Sequence, residues 1–301
     1  MNQSPIVVFD ADPAVYQAGF SAQSSNYTAV YEKKSGELVT RAWGDGRKMR
    51  AFFRRWKQLN VLSIDKDVVA KPVEFARQAA ATVIRATLRR VSERFNVSPA
   101  AITTEVYLSG QGNFRDKVAT ILPYKGNRTQ EPPIHYQAVR NYFYETWGAQ
   151  ICTGEADDAV SIRCRQLRSD GLPFVLATID KDLDQAPGLH YGYKEHVFYD
   201  VTADEAEDAF WRQALSGDIT DNIQGLVKVG PAKAQVYVSA WREQECSDTV
   251  IWSDIVGLYG DNMRDYPDKY PPGMTAEAAA LETARLVYMQ RYEGEIWTPP
   301  T

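Results

Sequence analysis

Apolar positions along the chain change their period several times, and each change marks an element. The unbroken run Ile6-Val7-Val8-Phe9 stops at Asp10 and predicts a buried strand. Residues 13–46 are polar and turn-rich and give no firm element. Over residues 47–59, basic and aromatic residues alternate at helical spacing, predicting a cationic amphipathic helix. A second helix is predicted over 72–95, with Phe75, Ala79, Val83, Ile84, Ala86, Leu88 and Val91 inward and Arg85, Arg89, Arg90 and Arg94 outward. Residues 104–108 and 174–179 read as strands. Between them lie a proline-marked polar connection over 110–133 and an aromatic helix over 136–147. A Pro-rich loop over 266–273 precedes a closing helix over 275–289. Strands alternating with helices predict an α/β fold with a mainly parallel sheet. Ligands of such sheets bind beyond the carboxyl ends of the strands, where Asp10 and Asp180 both fall.

The length of 301 residues allows one large domain or two modest ones, and 44% hydrophobic with 24% charged residues is ordinary for a globular protein. A formal charge of −5 argues on its face against a nucleic-acid partner, but net charge averages over faces and can conceal a basic rim. Cys152, Cys164 and Cys246 show no C-x-x-C spacing, which favours a reducing compartment and gives no zinc site. The amino-terminal residues lack a basic n-region, and no apolar stretch approaches the ~18 residues of a membrane helix. A soluble, cytoplasmic protein with no membrane partner is expected.

Acidic residues gather in four separated knots: Asp10 with Asp12; Glu155, Asp157 and Asp158; Asp180 with Asp182; and Asp218 with Asp221. Each has an ordinary explanation alone. A turn after a strand accounts for the first and third, a helix dipole for the second, and a solvated helix face for the pair three residues apart. Together they have no shared structural reason. Carboxylates crowded into one cleft repel one another unless divalent cations neutralise them. Two-metal phosphoryl chemistry draws oxygen ligands from several elements in this way. The pattern points to a magnesium-dependent phosphodiester cutter.

The motifs Val7-Val8-Phe9-Asp10-Ala11-Asp12, Asn113-Phe114-Arg115, Tyr124-Lys125-Gly126-Asn127-Arg128, Gly154-Glu155-Ala156-Asp157-Asp158, Thr178-Ile179-Asp180-Lys181-Asp182 and Gly217-Asp218-Ile219-Thr220-Asp221 run in the order found in the 5′ nucleases. The chain resembles that family over residues 6–240, and the phage 5′-3′ exonucleases above all. The resemblance implies a PIN-like sheet flanked by helices over 1–200, with a helical gateway, and a helix-hairpin-helix DNA-binding region over 201–301. It implies that Asp10, Glu155, Asp157 and Asp158 hold a first metal, directly or through water, and that Asp180 and Asp182 lie near a second, with Asp218 and Asp221 behind. Asp10, Asp158 and Asp180 are expected to be catalytic. Lys125 and Arg128, three apart as on one helical face, would stabilise charge on the scissile phosphate. Arg115, Tyr124, Lys228, Gly230 and Lys233 join Lys125 and Arg128 as expected DNA contacts. The cofactors implied are two Mg²⁺ ions, replaceable by Mn²⁺, and K⁺ at the hairpin over 225–234.

One departure stands out. The family's metal-directed aspartate after the strand preceding the F-R element is missing, because Leu108 runs into Ser109 and Gly110. A weaker first metal site is expected, with a higher Mg²⁺ or Mn²⁺ requirement. The function implied is a 5′-3′ exonuclease with flap endonuclease activity on duplex or branched DNA, and on primer RNA in RNA–DNA hybrids. Phage-type replication or genome degradation is its setting, and any polymerase partner is expected to be a separate chain. The alternatives are a cleavage-incompetent DNA-junction binder and a PIN-like ribonuclease. His135, His190 and His196 lie outside the knots and suit packing or surface roles. Phe52, Phe53 and Trp56 suit packing or base stacking, and Arg47, Arg50, Arg54 and Arg55 either a solvated face or a strand-binding rim.

Overall fold

The structure is a computed structural model and describes residues 4–301. In chain order the elements begin with β1 (Ile6–Asp10), α1 (Asp12–Ser21), β2 (Gln23–Glu32), β3 (Leu38–Trp43), α2 (Gly46–Arg55), β4 (Asn60–Ala70) and α3 (Val73–Phe95). There follow β5 (Thr103–Leu108), α4 (Arg115–Val118), α5 (Tyr136–Trp147), β6 (Gln150–Ile151), α6 (Ala156–Ser169) and β7 (Phe174–Thr178). The last part holds β8 (Gly188–Gly192), β9 (Val197–Val201), α7 (Ala203–Ser216), β10 (Gly217–Asp218), β11 (Ile223–Gln224), α8 (Pro231–Glu243), α9 (Asp248–Asp265) and α10 (Ala276–Val287). The chain forms two compact units. One comprises the residues up to Pro13, Ala86–Gln130 and Thr146–Thr301; the other comprises Ala14–Arg85 and Glu131–Glu145.

The first unit is built on a six-stranded sheet in the order β6-β5-β1-β7-β8-β9, parallel throughout except for the β8–β9 pair. β1 and β7 are apolar on both faces, as central parallel strands must be, and Val7, Val8, Phe9, Val175, Leu176 and Ala177 are fully buried. α6 covers one face through Val160, Cys164 and Leu167, which share a core with Val8, Tyr107 and Leu176. The register sets Asp10 opposite Tyr107 and Phe9 opposite Ala177, so β5, β1 and β7 end side by side.

Helices α7 to α10 close around a second core that includes Phe210, Leu215, Trp241, Ile251, Trp252 and Tyr259. Their starts are well specified: Thr202 and Glu205 form a capping box on α7, and Ser247 and Thr275 cap α9 and α10. Trp297 packs on Phe210 and Trp252, with centroids 5.3 and 5.0 Å apart.

The second unit resolves the stretch that the apolar pattern left unassigned. β2 lies between β3 and β4 in a three-stranded antiparallel sheet. Of β2 only Ala29 and Tyr31 are fully buried, so the strand has too few core positions to show a period. Helix α3 forms as expected, but its buried stripe is Ala76, Ala80, Ile84, Thr87 and Val91. Phe75, expected inward, is 54% exposed and lies under the Lys71 ammonium. Two alanines let the helix approach its neighbours closely, and a phenylalanine one position away does not fit that contact.

All three cysteines are unpaired. Among the described residues no helix is long and apolar enough to cross a membrane.

Candidate active site

Three adjacent strands end at one edge of the sheet: β1 delivers Asp10, β7 delivers Thr178 and then Asp180, and β5 delivers Ser109. Asp10 is only 3% exposed. The Thr178 hydroxyl donates to Asp10 Oδ2 at 2.8 Å and accepts from the Asp180 N–H at 2.9 Å, tying two acidic knots together. Burial, then the charges of Asp12 and Asp180, push the Asp10 carboxyl up to about 8 against the help of Thr178. Asp180 Oδ1 accepts from the Asp182 N–H at 3.0 Å, and Asp182 Oδ1 accepts from Gln213 Nε2 at 2.6 Å. Burial raises Asp180, with Asp221 and Asp218 adding to the rise. Burial and the charges of Asp180, Asp218 and Asp221 push Asp182 up to about 8.

Asp218 ends β10 and Asp221 lies in the tight turn to β11, not on the helix their spacing suggested. Gly217 has φ 63, and a Cβ on it would lie 2.3 Å from the Gly225 nitrogen, so the chain must reverse here. Asp218 Oδ1 accepts from the Thr220 N–H at 2.6 Å and closes the turn.

Glu155, Asp157 and Asp158 occupy the start of α6. Glu155 stands at the cap position without a capping bond; instead the Ser109 hydroxyl accepts from the Ala156 N–H at 2.9 Å. The Ser109 N–H in turn donates to Asp12 Oδ2 at 2.9 Å. At the point where the resemblance implies a carboxylate, a serine therefore caps the helix and leaves the Glu155 carboxylate to the cleft. Gly110 has no room for a side chain, since a Cβ would lie 1.8 Å from the Cys152 carbonyl oxygen. Burial, Glu155 and Asp158 hold Asp157 well above the usual carboxylate range.

Arg115 is a structural keystone rather than the DNA contact it was expected to be. It is fully buried and grips both Asp158 oxygens, at 2.5 and 3.0 Å, and Glu155 Oε2 at 3.1 Å. It also donates to the carbonyls of Leu286 and Tyr288, each at 2.8 Å. Asp158 Oδ1 accepts a further bond from the Gln290 N–H at 3.1 Å. Asp158 accepts from three protein donors, and so does Glu155, from Arg115, Tyr124 and Lys125, which leaves Asp157 as the more open member of that knot.

Lys125 and Arg128 lie on a turn, where a helical gateway had been expected. Lys125 has φ 53, outside the helical range, and its N–H donates to the Asp221 carbonyl at 2.8 Å. The two side chains nevertheless converge: Lys125 pairs with Glu155 and, at 3.4 Å, with Asp221, while Arg128 pairs with Asp221 at 2.5 Å. Burial works against the Lys125 ammonium, yet Glu155 and Asp221 hold its pKa above the ordinary value. Tyr124 commits its hydroxyl to the acidic site, 2.8 Å from both Glu155 Oε2 and Asp221 Oδ2. Glu282 anchors the loop from behind, accepting from the Thr120 and Ile121 N–H groups at 2.7 Å each. Nothing in the spacing of Glu282 within its helix marks it for this task.

The four knots form one electrostatic unit, linked from Asp10 to Asp180, from Asp180 and Asp182 to Asp218 and Asp221, and from Asp221 through Lys125 and Tyr124 to Glu155. Ligand oxygens of Glu155, Asp157 and Asp158 lie within 4.8 Å of one another. A cleft of about 1190 Å³ is lined by Lys125, Arg128, Asp157, Asp180, Asp182 and Asp221 and continues to Lys228 and Gly230. Lys228, Gly230 and Lys233 are exposed, and Gly230 precedes α8 without a side-chain cap; Pro231 has no N–H and the Lys233 and Ala234 N–H groups donate to the Gly230 carbonyl, so the Ala232 N–H is the first-turn donor left for an anion. The donor set is all oxygen, and burial followed by neighbouring carboxylate charge raises Asp10, Asp157, Asp180 and Asp182. Both suit hard divalent cations. Among the described residues, Glu155, Asp157 and Asp158 form the group whose oxygens are close enough together to hold one.

No protein-family model and no curated protein matches the chain. Among solved structures, it is similar to the bacteriophage T5 D15 protein co-crystallised with metal ions. The TM-score is 0.51 and the identity 15%, over 94% of this chain and 89% of that one. Zinc-bound T5 5′-exonuclease aligns with a TM-score of 0.47 at 18% identity, over 69% of this chain and 80% of that one. A complex of the T5 flap endonuclease with DNA and metal ions aligns at 0.44 and 16%, over 68% and 80%. The likeness to the T5 D15 protein is one of fold, with the central, mostly parallel sheet and flanking helices in common.

Proposed function

We propose that this chain, which has the fold of the T5 D15 protein, is a divalent-metal-dependent 5′ nuclease. It would act as a 5′-3′ exonuclease with flap endonuclease activity on duplex or branched DNA, and on RNA–DNA hybrids. The observation that carries this is the meeting of Asp157, Asp180, Asp182, Asp218 and Asp221, from distant parts of the chain, in one cleft beside Lys125 and Arg128, with Asp10 tied to Asp180 through Thr178. Two Mg²⁺ or Mn²⁺ ions, held by the carboxylates named above, would supply an activated water and neutralise charge on the phosphate. Lys125 and Arg128 balance the carboxylates and bring positive charge to the phosphate. Tyr124 and Glu282 fix the turn that carries them. Arg115 holds α6, and so Glu155 and Asp157, against the chain that leaves α10.

The hairpin ahead of α8 would grip duplex backbone through Lys228, Lys233 and the Ala232 N–H at the helix start, with K⁺ as its ion. Contacts of this kind position a duplex without reading its sequence. A cytoplasmic setting, with replication proteins as separate partners, belongs to the same reading.

The engagement of Asp158 with Arg115 and the closed position at Gly110 favour one rival, a junction binder that does not cut. Incubating a 5′-flap duplex with the protein, with and without Mg²⁺ or Mn²⁺, separates the two. Cation-dependent release of the flap that disappears in Asp180→Ala supports the nuclease. Binding without cleavage in either ion overturns it.

A further inference from the structure

The second unit carries a surface that the acidic cleft does not account for. Residues 41–57 hold seven basic residues against one acidic, a local charge of +6 in a chain of −5. Arg41, Arg47, Lys48, Arg50, Arg54, Arg55 and Lys57 are all exposed. Among the described residues Asp45 is the acid beside them: it pairs with Arg47, whose side chain remains 87% accessible, and its charge also meets that of Lys48. Five further exposed cations with no recorded carboxylate partner are costly to bring together unless a polyanion meets them.

The helix that bears most of them is held rigidly. Phe52 and Phe53 of α2 pack on Tyr31 of β2 and Trp43 of β3, with centroids 5.4 to 5.7 Å apart, and Met49 is buried beneath. The apolar face of α2 is therefore already used, which settles packing as the role of Phe52 and Phe53. It also leaves no greasy face to enter a bilayer. Arg47, Arg50 and Arg54 follow one another at helical spacing along the outer surface, with Lys48 and Arg55 beside them. At the end of this row Trp56 is 43% exposed, with the Arg55 guanidinium 5.8 Å from its ring centroid. A cationic row ending in an open aromatic face suits a strand whose phosphates and bases are both accessible; a duplex hides its base faces.

We propose that α2 and the sheet beneath it form a binding surface for single-stranded nucleic acid, in which Arg50, Arg54 and Arg55 track phosphates and Trp56 stacks on a base. Its usefulness in handling a displaced strand rests on the nuclease reading, but the binding itself does not.

The test uses the full chain in EDTA, so that nothing is hydrolysed. The probes are a labelled oligothymidylate of about 20 nucleotides, a blunt hairpin duplex and phosphatidylserine vesicles. In the combined variant Arg50→Glu, Arg54→Glu, Arg55→Glu, oligothymidylate affinity should fall at least ~10-fold and the salt slope should shrink by about 2, at ~0.7 per phosphate contact. Trp56→Ala should weaken binding roughly 10-fold and leave the slope unchanged. The matching triple lysine variant should retain binding, and melting curves of each variant report its folding. Unchanged affinity and slope in the glutamate variant overturn the proposal. So does tighter binding to vesicles than to oligothymidylate, or equal binding of the hairpin duplex with no effect of Trp56→Ala. A protein that fails to cut a flap in Mg²⁺ but shows these binding changes refutes the nuclease reading alone; one that cuts while the glutamate variant binds normally refutes this inference alone.

Discussion

Asp182→Asn tests the central physical claim, that the carboxylates of the cleft are held together against their mutual repulsion. The substitution preserves shape, and the new amide oxygen can still accept from Gln213 Nε2, which lies 2.6 Å from Asp182 Oδ1. It removes a charge that burial and the neighbouring Asp180, Asp218 and Asp221 push from 3.8 up to about 8. With the folded-state pKa above the unfolded one, the protonated group contributes its stability in full below about pH 4. That contribution declines by ~1.36 kcal/mol per pH unit as pH rises through about 8. The full span sets a ceiling of roughly 6 kcal/mol. Asp180 shares the same field and keeps its own charge, so the single substitution should recover about 2–3 kcal/mol at pH 8. For a chain of this size that is a rise of about 5 °C or more in melting temperature.

The assay is calorimetric melting of wild type and variant in EDTA at pH 5 and pH 8, repeated with Mg²⁺ and Mn²⁺. The variant should melt higher at pH 8, with the difference shrinking sharply at pH 5. Divalent cations should raise the wild-type midpoint at pH 8 well beyond that of the variant. Flap cleavage by the variant should drop at least ~10–100-fold. A variant less stable than wild type by the same amount at both pH values, with an unchanged response to cations, would refute the reasoning.

Other perturbations separate holding residues from acting ones. Arg115→Met removes a buried cation and strands Asp158, so chemical denaturation should show a loss of about 3–5 kcal/mol; a loss of DNA affinity with unchanged stability would contradict its burial. Ser109→Ala removes the cap of α6 and should cost about 1 kcal/mol. Gly110→Asp should cost far more, because of the Cys152 carbonyl, and should not improve Mg²⁺ affinity in a cation titration of cleavage. Lys125→Ala should lower kcat by roughly 10²–10³-fold in single-turnover assays, with little change in duplex affinity in EDTA. An equal fall in affinity would make Lys125 a binding residue only.

Residues 13–46 gave no period because β2 and β3 belong to a thin, largely exposed sheet, in which few side chains are excluded from water. The pairs Asp218/Asp221 and Lys125/Arg128 invited a helical explanation from a spacing of three. The chain instead brings each pair together on turns, through Gly217 and through a Lys125 backbone outside the helical range. Arg115 carried a family expectation of DNA contact that no local signal contradicts, since burial of an arginine depends on what packs over it from more than a hundred and seventy residues away.

The sequence by itself determined the strands β1, β5 and β7, the helices α2, α3, α5 and α10 and the position of every acidic knot, because apolar period and carboxylate spacing are local properties of the chain. Only the tertiary structure decided which carboxylates face one another and which are taken by Arg115. It alone showed that a serine caps the helix at the missing aspartate, and that the basic residues of α2 remain open to solvent. Those outcomes depend on contacts between segments far apart in the chain, and such contacts follow from packing and charge in three dimensions, which no window of sequence contains.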